Sequence, residues 1–263
     1  MGSVKRFIEQ QQAEEERQAW VEEQVDFNVV LGDDEWAEME KLYDKRLMEG
    51  TLYEPDFNEN WGLEEEIEWS KANPHSIAFG DFCNQIVRLN ELMGDSEDPM
   101  QQKIQLSYAV TLMESCLSEM LKSVTLSSLV FKRNALTNVY GLKDTTINVN
   151  HLLNNSSDEL IEKTIINYLA GLIYHNIGNV LKVYTAILGG KIENLPEDII
   201  KKINDATTLR HDIVHRNGKK ATGEKNEISR DIIDKHIENI NQLVDQLFLY
   251  INMSIPDTED PDF

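Results

Sequence analysis

The sequence predicts an all-α protein, a four-helix bundle behind an acidic helical N-terminal extension. Three observations carry this expectation. Apolar residues recur at steps of three and four through four long stretches, the spacing of a single helix face. Strand signals are scarce, TTINVN (145–150) being the one tempting run. The acidity is concentrated at the front. Residues 1–100 carry 8 Lys/Arg against 26 Asp/Glu, and residues 101–263 carry 17 against 21, which together give the net charge of −22.

Residues 1–24 form a polar, Gln/Glu-rich stretch that needs a partner to hold a helix. Residues 33–50 read as an amphipathic helix opened by an Asp cap and closed by Gly50. An aromatic-rich loop follows at 51–62. Phe82, Ile86, Leu89 and Met93 then step along one helix face up to Gly94. The acidic, proline-ended segment GDSEDP (94–99) is the best domain boundary. The expected division is an extension or small domain at 1–98, a bundle at 99–253 and an acidic tail at 254–263.

Within the bundle, Leu106, Val110, Met113, Leu117, Met120 and Val124 line the first helix. Ser156 and Glu159 have the spacing of a capping box, opening a helical run of roughly thirty residues that ends at Gly189-Gly190. Asn194 and Pro196 open a third helix that stops at Asn217-Gly218. Ile233, Ile237, Ile240, Val244, Leu247 and Ile251 line a fourth. Four such helices with short or moderate connections make a bundle.

Composition narrows the function classes. Cys83 and Cys116 cannot form a disulfide framework and fit a reducing cytoplasm. No apolar run approaches the ~20 residues of a membrane span, and the N-terminal stretch lacks a signal peptide's apolar core. The acidic front section repels nucleic acid by bulk charge.

Against that background, TTLRHDIVHRNGKK (207–220) gathers Arg210, His211, His215, Arg216, Lys219 and Lys220 at one helix end. On a wheel of about 100° per residue, Ile203, Ala206, Leu209 and Ile213 form the core stripe. His211 and His215 fall on the polar side, and Arg210 on the edge of the stripe. A half-buried guanidinium needs a carboxylate, and Glu114, on the margin of the first helix, is the expected partner.

Three readings fit these residues. HDIVH differs from the HExxH zinc motif only in Asp for Glu. Aspartate is short for that role, however, no third ligand follows nearby, and Arg210 repels a cation. No metal or other cofactor is therefore expected. Metal-independent RNA cleavage needs a base for the 2′-OH, an acid for the leaving oxygen and positive charge on the phosphate. Histidines and an arginine supply these groups, and Arg216, Lys219 and Lys220, with Lys225 and Arg230, add a local basic rim. The plain reading is a pair of solvated histidines before a helix cap. Elsewhere, Tyr174 and His175 read as packing and surface positions in the long second helix, and His236 as a surface position in the fourth. His151 shows no visible chemistry, and Cys116 reads as an inert core thiol.

Arg-x4-His at a helix end, followed by Asn-Gly-Lys within a four-helix bundle, resembles the HEPN superfamily. LRHDIVHRNGKK looks like its prokaryotic ribonucleases of toxin–antitoxin and phage-defence systems. LSYAVTLMESCLSEML resembles the family's opening helix, with Glu114 as its acidic residue. The resemblance covers about residues 101–253. It implies a homodimer in which Arg210 and His215 of each copy build one composite RNA-cleaving site. In that site His215 serves as acid or base, Arg210 holds the phosphate and His211 assists. Glu114 and Asn217 support, and Arg216, Lys219 and Lys220 bind RNA. His211 stands where Asn often does in the family. Some HEPN proteins are silent binding modules, so a catalytically inactive subunit contacting a partner protein or nucleotide is the alternative. The acidic front section reads first as a helical extension that packs on the bundle or its dimer partner; the sharper readings are that it serves an antitoxin or regulatory partner, or covers the basic rim.

Overall fold

The structure, a computed structural model, describes residues 14, 17–18, 20–22, 24–25, 29, 31–49, 62–94, 96–146, 156–193, 195–196 and 198–255. Gly50, most of the 51–62 loop with Trp61, residues 147–150, His151, Asn194 and the tail beyond Ile255 lie outside them. Among the described residues the fold is all-helical. The helices are α1 (Asp34–Glu49), α2 (Leu63–Ala72), α3 (His75–Met93), α4 (Pro99–Ser127), α5 (Leu129–Asn138), α6 (Tyr140–Lys143), α7 (Ser157–Ala170), α8 (Ile177–Leu188), α9 (Ile199–Arg216) and α10 (Arg230–Ser254).

Helix α4 is the axis of the bundle. It runs 29 residues, and all six residues of its expected stripe are buried. It packs against α3, α9 and α10, and also against α2, α5, α7 and α8. Asp98 opens it by accepting from the Met100 N–H at 3.0 Å, and Pro99 occupies the first turn, where a missing N–H costs nothing.

The described residues of GDSEDP, all but Asp95, lie in the short connection between α3 and α4 and at the start of α4. Ala78, Phe82, Ile86 and Leu89 of α3 belong to the same core as α4, so the bundle's packing begins before the boundary expected at 98/99. Helix α2 joins it as well. Leu63 and Ile67 meet Leu126 and Ile166, and ion pairs Glu64–Lys163, Glu66–Lys122 and Lys71–Glu162 fasten α2 to α4 and α7.

The helical run expected after the capping box is not continuous. Ser156 and Glu159 do form the box, but α7 ends at Ala170 and α8 starts at Ile177. The break is held by Tyr174, whose hydroxyl donates to the Leu169 carbonyl at 2.9 Å, and by Asn176, which caps α8 through the Asn179 N–H. His175 therefore sits in a turn and not on a long helix. The short helices α5 and α6 were not anticipated from the sequence. Phe131 and Ala135 of α5 are buried in the main core.

The front section has its own small core of Trp20, Val21, Val25, Trp36 and Tyr43. Arg17 bridges Glu40 and Asp44 beside it.

Candidate functional site

Helix α9 carries the motif, and its burial follows the wheel in part, since Ile213 of the expected stripe is only half-buried and His211 is not fully turned outward. Ile203, Ala206 and Leu209 are buried, Arg210 and His211 are half-buried, and His215 is exposed. The His211 and His215 rings, one helical turn apart, face each other with centroids 4.6 Å apart and planes tilted by 42°. The Arg210 Nε is buried and has no hydrogen-bond partner. A buried guanidinium N–H left unpaired costs free energy, so a donor is left over here that an oxygen acceptor would satisfy.

The carboxylate expected to meet Arg210 is engaged elsewhere. Glu114 Oε1 accepts from His175 Nδ1 at 3.0 Å, across the turn between α7 and α8. Glu114 is thus a partner of His175, and the Arg210–Glu114 pair is corrected. A helix wheel gives the direction of a side chain but not which neighbouring segment arrives there.

The helix stops as predicted. Asn217 adopts the left-handed conformation at φ 54°, and the Gly218 N–H donates to the Asp212 carbonyl at 2.7 Å. Lys103 of α4 reaches the Asn217 carbonyl at 3.3 Å and its side-chain Oδ1 at 3.4 Å. Beyond the stop the chain folds into a small hairpin. Lys219 and Lys225 form an antiparallel bridge, Lys220 N donates to Glu224 O at 2.8 Å, and Asn226 N donates to Gly218 O at 2.9 Å.

Of the basic residues expected to bind RNA, Lys219 and Lys220 are exposed on this hairpin, with Lys220 lying 3.7 Å from Glu224. Arg216 is partly committed, since its Nη1 donates to Asp212 Oδ1 at 2.8 Å. Asp212 was missed by sequence reasoning except as a weak zinc-motif base. It is buried, and its second oxygen accepts from Asn226 Nδ2 at 2.8 Å. The i, i+4 spacing of Asp212 and Arg216 was the available signal. Its bond to Asn226 had none.

Among the described residues no group of three or more His, Cys, Asp and Glu is placed to hold a metal ion. The Cys116 thiol is buried in the core, and burial pushes its pKa up. A half-open cavity of about 800 Å³ lies between the front section and the α5–α8 side, lined in part by Glu22, Trp36, Tyr140, Asn179 and Lys182. Neither Arg210 nor either histidine lines it. Among the described residues no helix is long and apolar enough to cross a membrane.

An all-helical bundle with Arg-x4-His at the end of α9 defines a HEPN-type protein. Residues 64–253 match the family RiboL-PSP-HEPN, and the chain belongs to that family. The match takes in α2 and α3, in keeping with their place in the core. No curated protein and no solved structure matches the chain.

Proposed function

We propose that the protein is a metal-independent endoribonuclease of HEPN type, acting in the cytoplasm as a toxin or antiviral-defence effector. The observation that carries this reading is the tilted His211–His215 ring pair on the helix end that also carries Arg210, whose buried Nε–H has no partner. Imidazoles near neutrality can take and give a proton, and a guanidinium can hold phosphate. The reaction is attack of a ribose 2′-oxygen on the adjacent phosphorus. One imidazole takes the 2′-OH proton as the new P–O bond forms. A second imidazole protonates the 5′-oxygen as the old P–O bond breaks, leaving a cyclic phosphate.

Two copies supply the second set of groups. Around α9, Arg210 and His215 lie about 140° apart, so a composite site between two helix ends gathers them more readily than one chain does. Exposed Val214 beside His215, with exposed Met100, Ile104 and Tyr108 on α4, provides apolar surface for such a contact.

The test is cleavage of fluorescent RNA in EDTA, with light scattering to establish the dimer. His215→Ala and Arg210→Ala should each lower the rate by roughly 10²- to 10⁴-fold while the helical spectrum is kept. An excess of His215→Ala protein should also poison the wild type, because mixed dimers lack one imidazole. Undiminished cleavage by His215→Ala would overturn the assignment. Absence of cleavage by the wild type on every RNA tried would turn the reading to a silent binding subunit.

A further inference from the structure

The 218–226 hairpin is an unusual object in an acidic protein. Four of the ten residues from Arg216 to Lys225 are Lys or Arg and one is acidic, in a chain of net charge −22. The hairpin is not a loose loop. Its first residue, Gly218, is bonded through its N–H to the Asp212 carbonyl, and its last, Asn226, through its side chain to the Asp212 carboxylate. The same carboxylate holds Arg216. One buried residue of α9, three positions before His215, therefore fastens both ends of the hairpin to the turn that carries the histidines.

We propose that Asp212 is a positioning residue that, with Asn226, hangs the hairpin beside His215 as a clamp for the phosphate backbone of single-stranded RNA. The inference rests on the ribonuclease reading for the identity of the polyanion. Exposed Lys219, Lys220 and Lys225 are the phosphate-binding groups. Arg216, tied to Asp212, acts as a strut. The bonds set the angle of the lysines, so affinity depends on a residue that touches no RNA. Preorganised cations bind more tightly than the same cations on a mobile loop, because less ordering is needed on contact. Each phosphate contact releases counterions and makes binding salt-dependent.

The experiment uses the full chain and a fluorescein-labelled 2′-O-methyl RNA, which offers no 2′-OH to attack. Binding is read by anisotropy from ~50 to ~200 mM salt. Replacing both Lys219 and Lys220 by Gln should flatten the slope of log affinity against log salt by about 1.4, at about 0.7 per lost contact on a single strand. Asn226→Ala, which leaves every cation in place, should weaken binding and flatten the slope. Added to a variant in which Lys219, Lys220 and Lys225 are all replaced by Gln it should do little more. Asp212→Asn, which retains an acceptor oxygen, should fall between Asn226→Ala and the wild type.

Wild-type affinity and slope in Asn226→Ala would overturn the proposal. So would a loss of affinity with the slope unchanged, which is what a merely structural role would give. Equal, lysine-dependent binding of a labelled polyglutamate peptide would point to a protein polyanion and overturn the RNA assignment. Because the probe cannot be cleaved, lysine-dependent binding without cleavage of ordinary RNA would remove the ribonuclease reading and leave the clamp standing.

Discussion

Glu162 makes three helices depend on one carboxylate. Its side chain on α7 is 8% exposed, and it accepts from Lys132 of α5 at 2.6 Å and from Lys71 of α2. Burial alone would raise its pKa, but the two ammoniums bonded to it outweigh that and hold it below the ordinary glutamate range. A depressed folded-state pKa contributes stability that is complete above the unfolded value and lost as pH falls through the folded one. Glu162→Gln should therefore cost about 1.5–3 kcal/mol at neutral pH, the size of hydrogen bonds to charged groups. The gap from wild type should close as pH drops below about 4. Urea denaturation of both proteins at pH 7 and at acid pH checks this, and a gap independent of pH would refute it. Asp212 uses a buried carboxylate in the same manner, to order two donors around the end of α9.

Among the elements, the α9 stop is the one whose geometry the site depends on. Gly218 sits at φ +82°, and a Cβ there would lie 3.3 Å from the Lys103 Cε and 3.5 Å from Ile228 Cδ1. Gly218→Ala should cost about 1–2 kcal/mol, chiefly the strain of a left-handed alanine, since the lysine end can yield. Asn217→Gly, at a position already left-handed, should shift stability by less than about 0.5 kcal/mol. Denaturation midpoints of the two variants separate backbone strain from the lost Asn217 side chain. This stop was legible because Asn-Gly is local chemistry. The capping box and the α4 stripe were legible for the same reason: both are written within a few helical turns. The break after Ala170 was hidden because Leu172 and Tyr174 continue the apolar pattern through it and are themselves buried. GDSEDP looked like a linker because capping residues and linker residues are the same kinds, Asp, Ser and Pro. The Glu114–His175 pair spans 61 positions, and no wheel on one helix could reveal it.

At the scale of the molecule, the acidic front section divides into two parts with different obligations. The described residues before Leu63 are absent from the bundle's core clusters and keep a small core of their own. Helices α2 and α3 are integral to the bundle. Four α3 side chains are buried in it, and each fully buried aliphatic or aromatic chain is worth about 1.5–3 kcal/mol. A protein lacking residues 1–61 should therefore melt cooperatively and keep the helical spectrum of the bundle. A protein lacking residues 1–98 should fail to do so, because Phe82, Ile86 and Leu89 would leave α4 facing water and Lys122 and Glu162 would lose partners from α2. Circular dichroism melts of the two truncations decide it, and stable folding of the shorter protein would restore the boundary at 98/99. The longer truncated protein also bears on what the acid is for. If the front section shields the cationic hairpin, its removal should raise affinity for the uncleavable RNA most at low salt, where charges reach farthest. The front section's described residues line the cavity beside Tyr140, Asn179 and Lys182, which includes none of the hairpin lysines. On that placement the expected outcome is no change in affinity beyond the small long-range repulsion that salt removes.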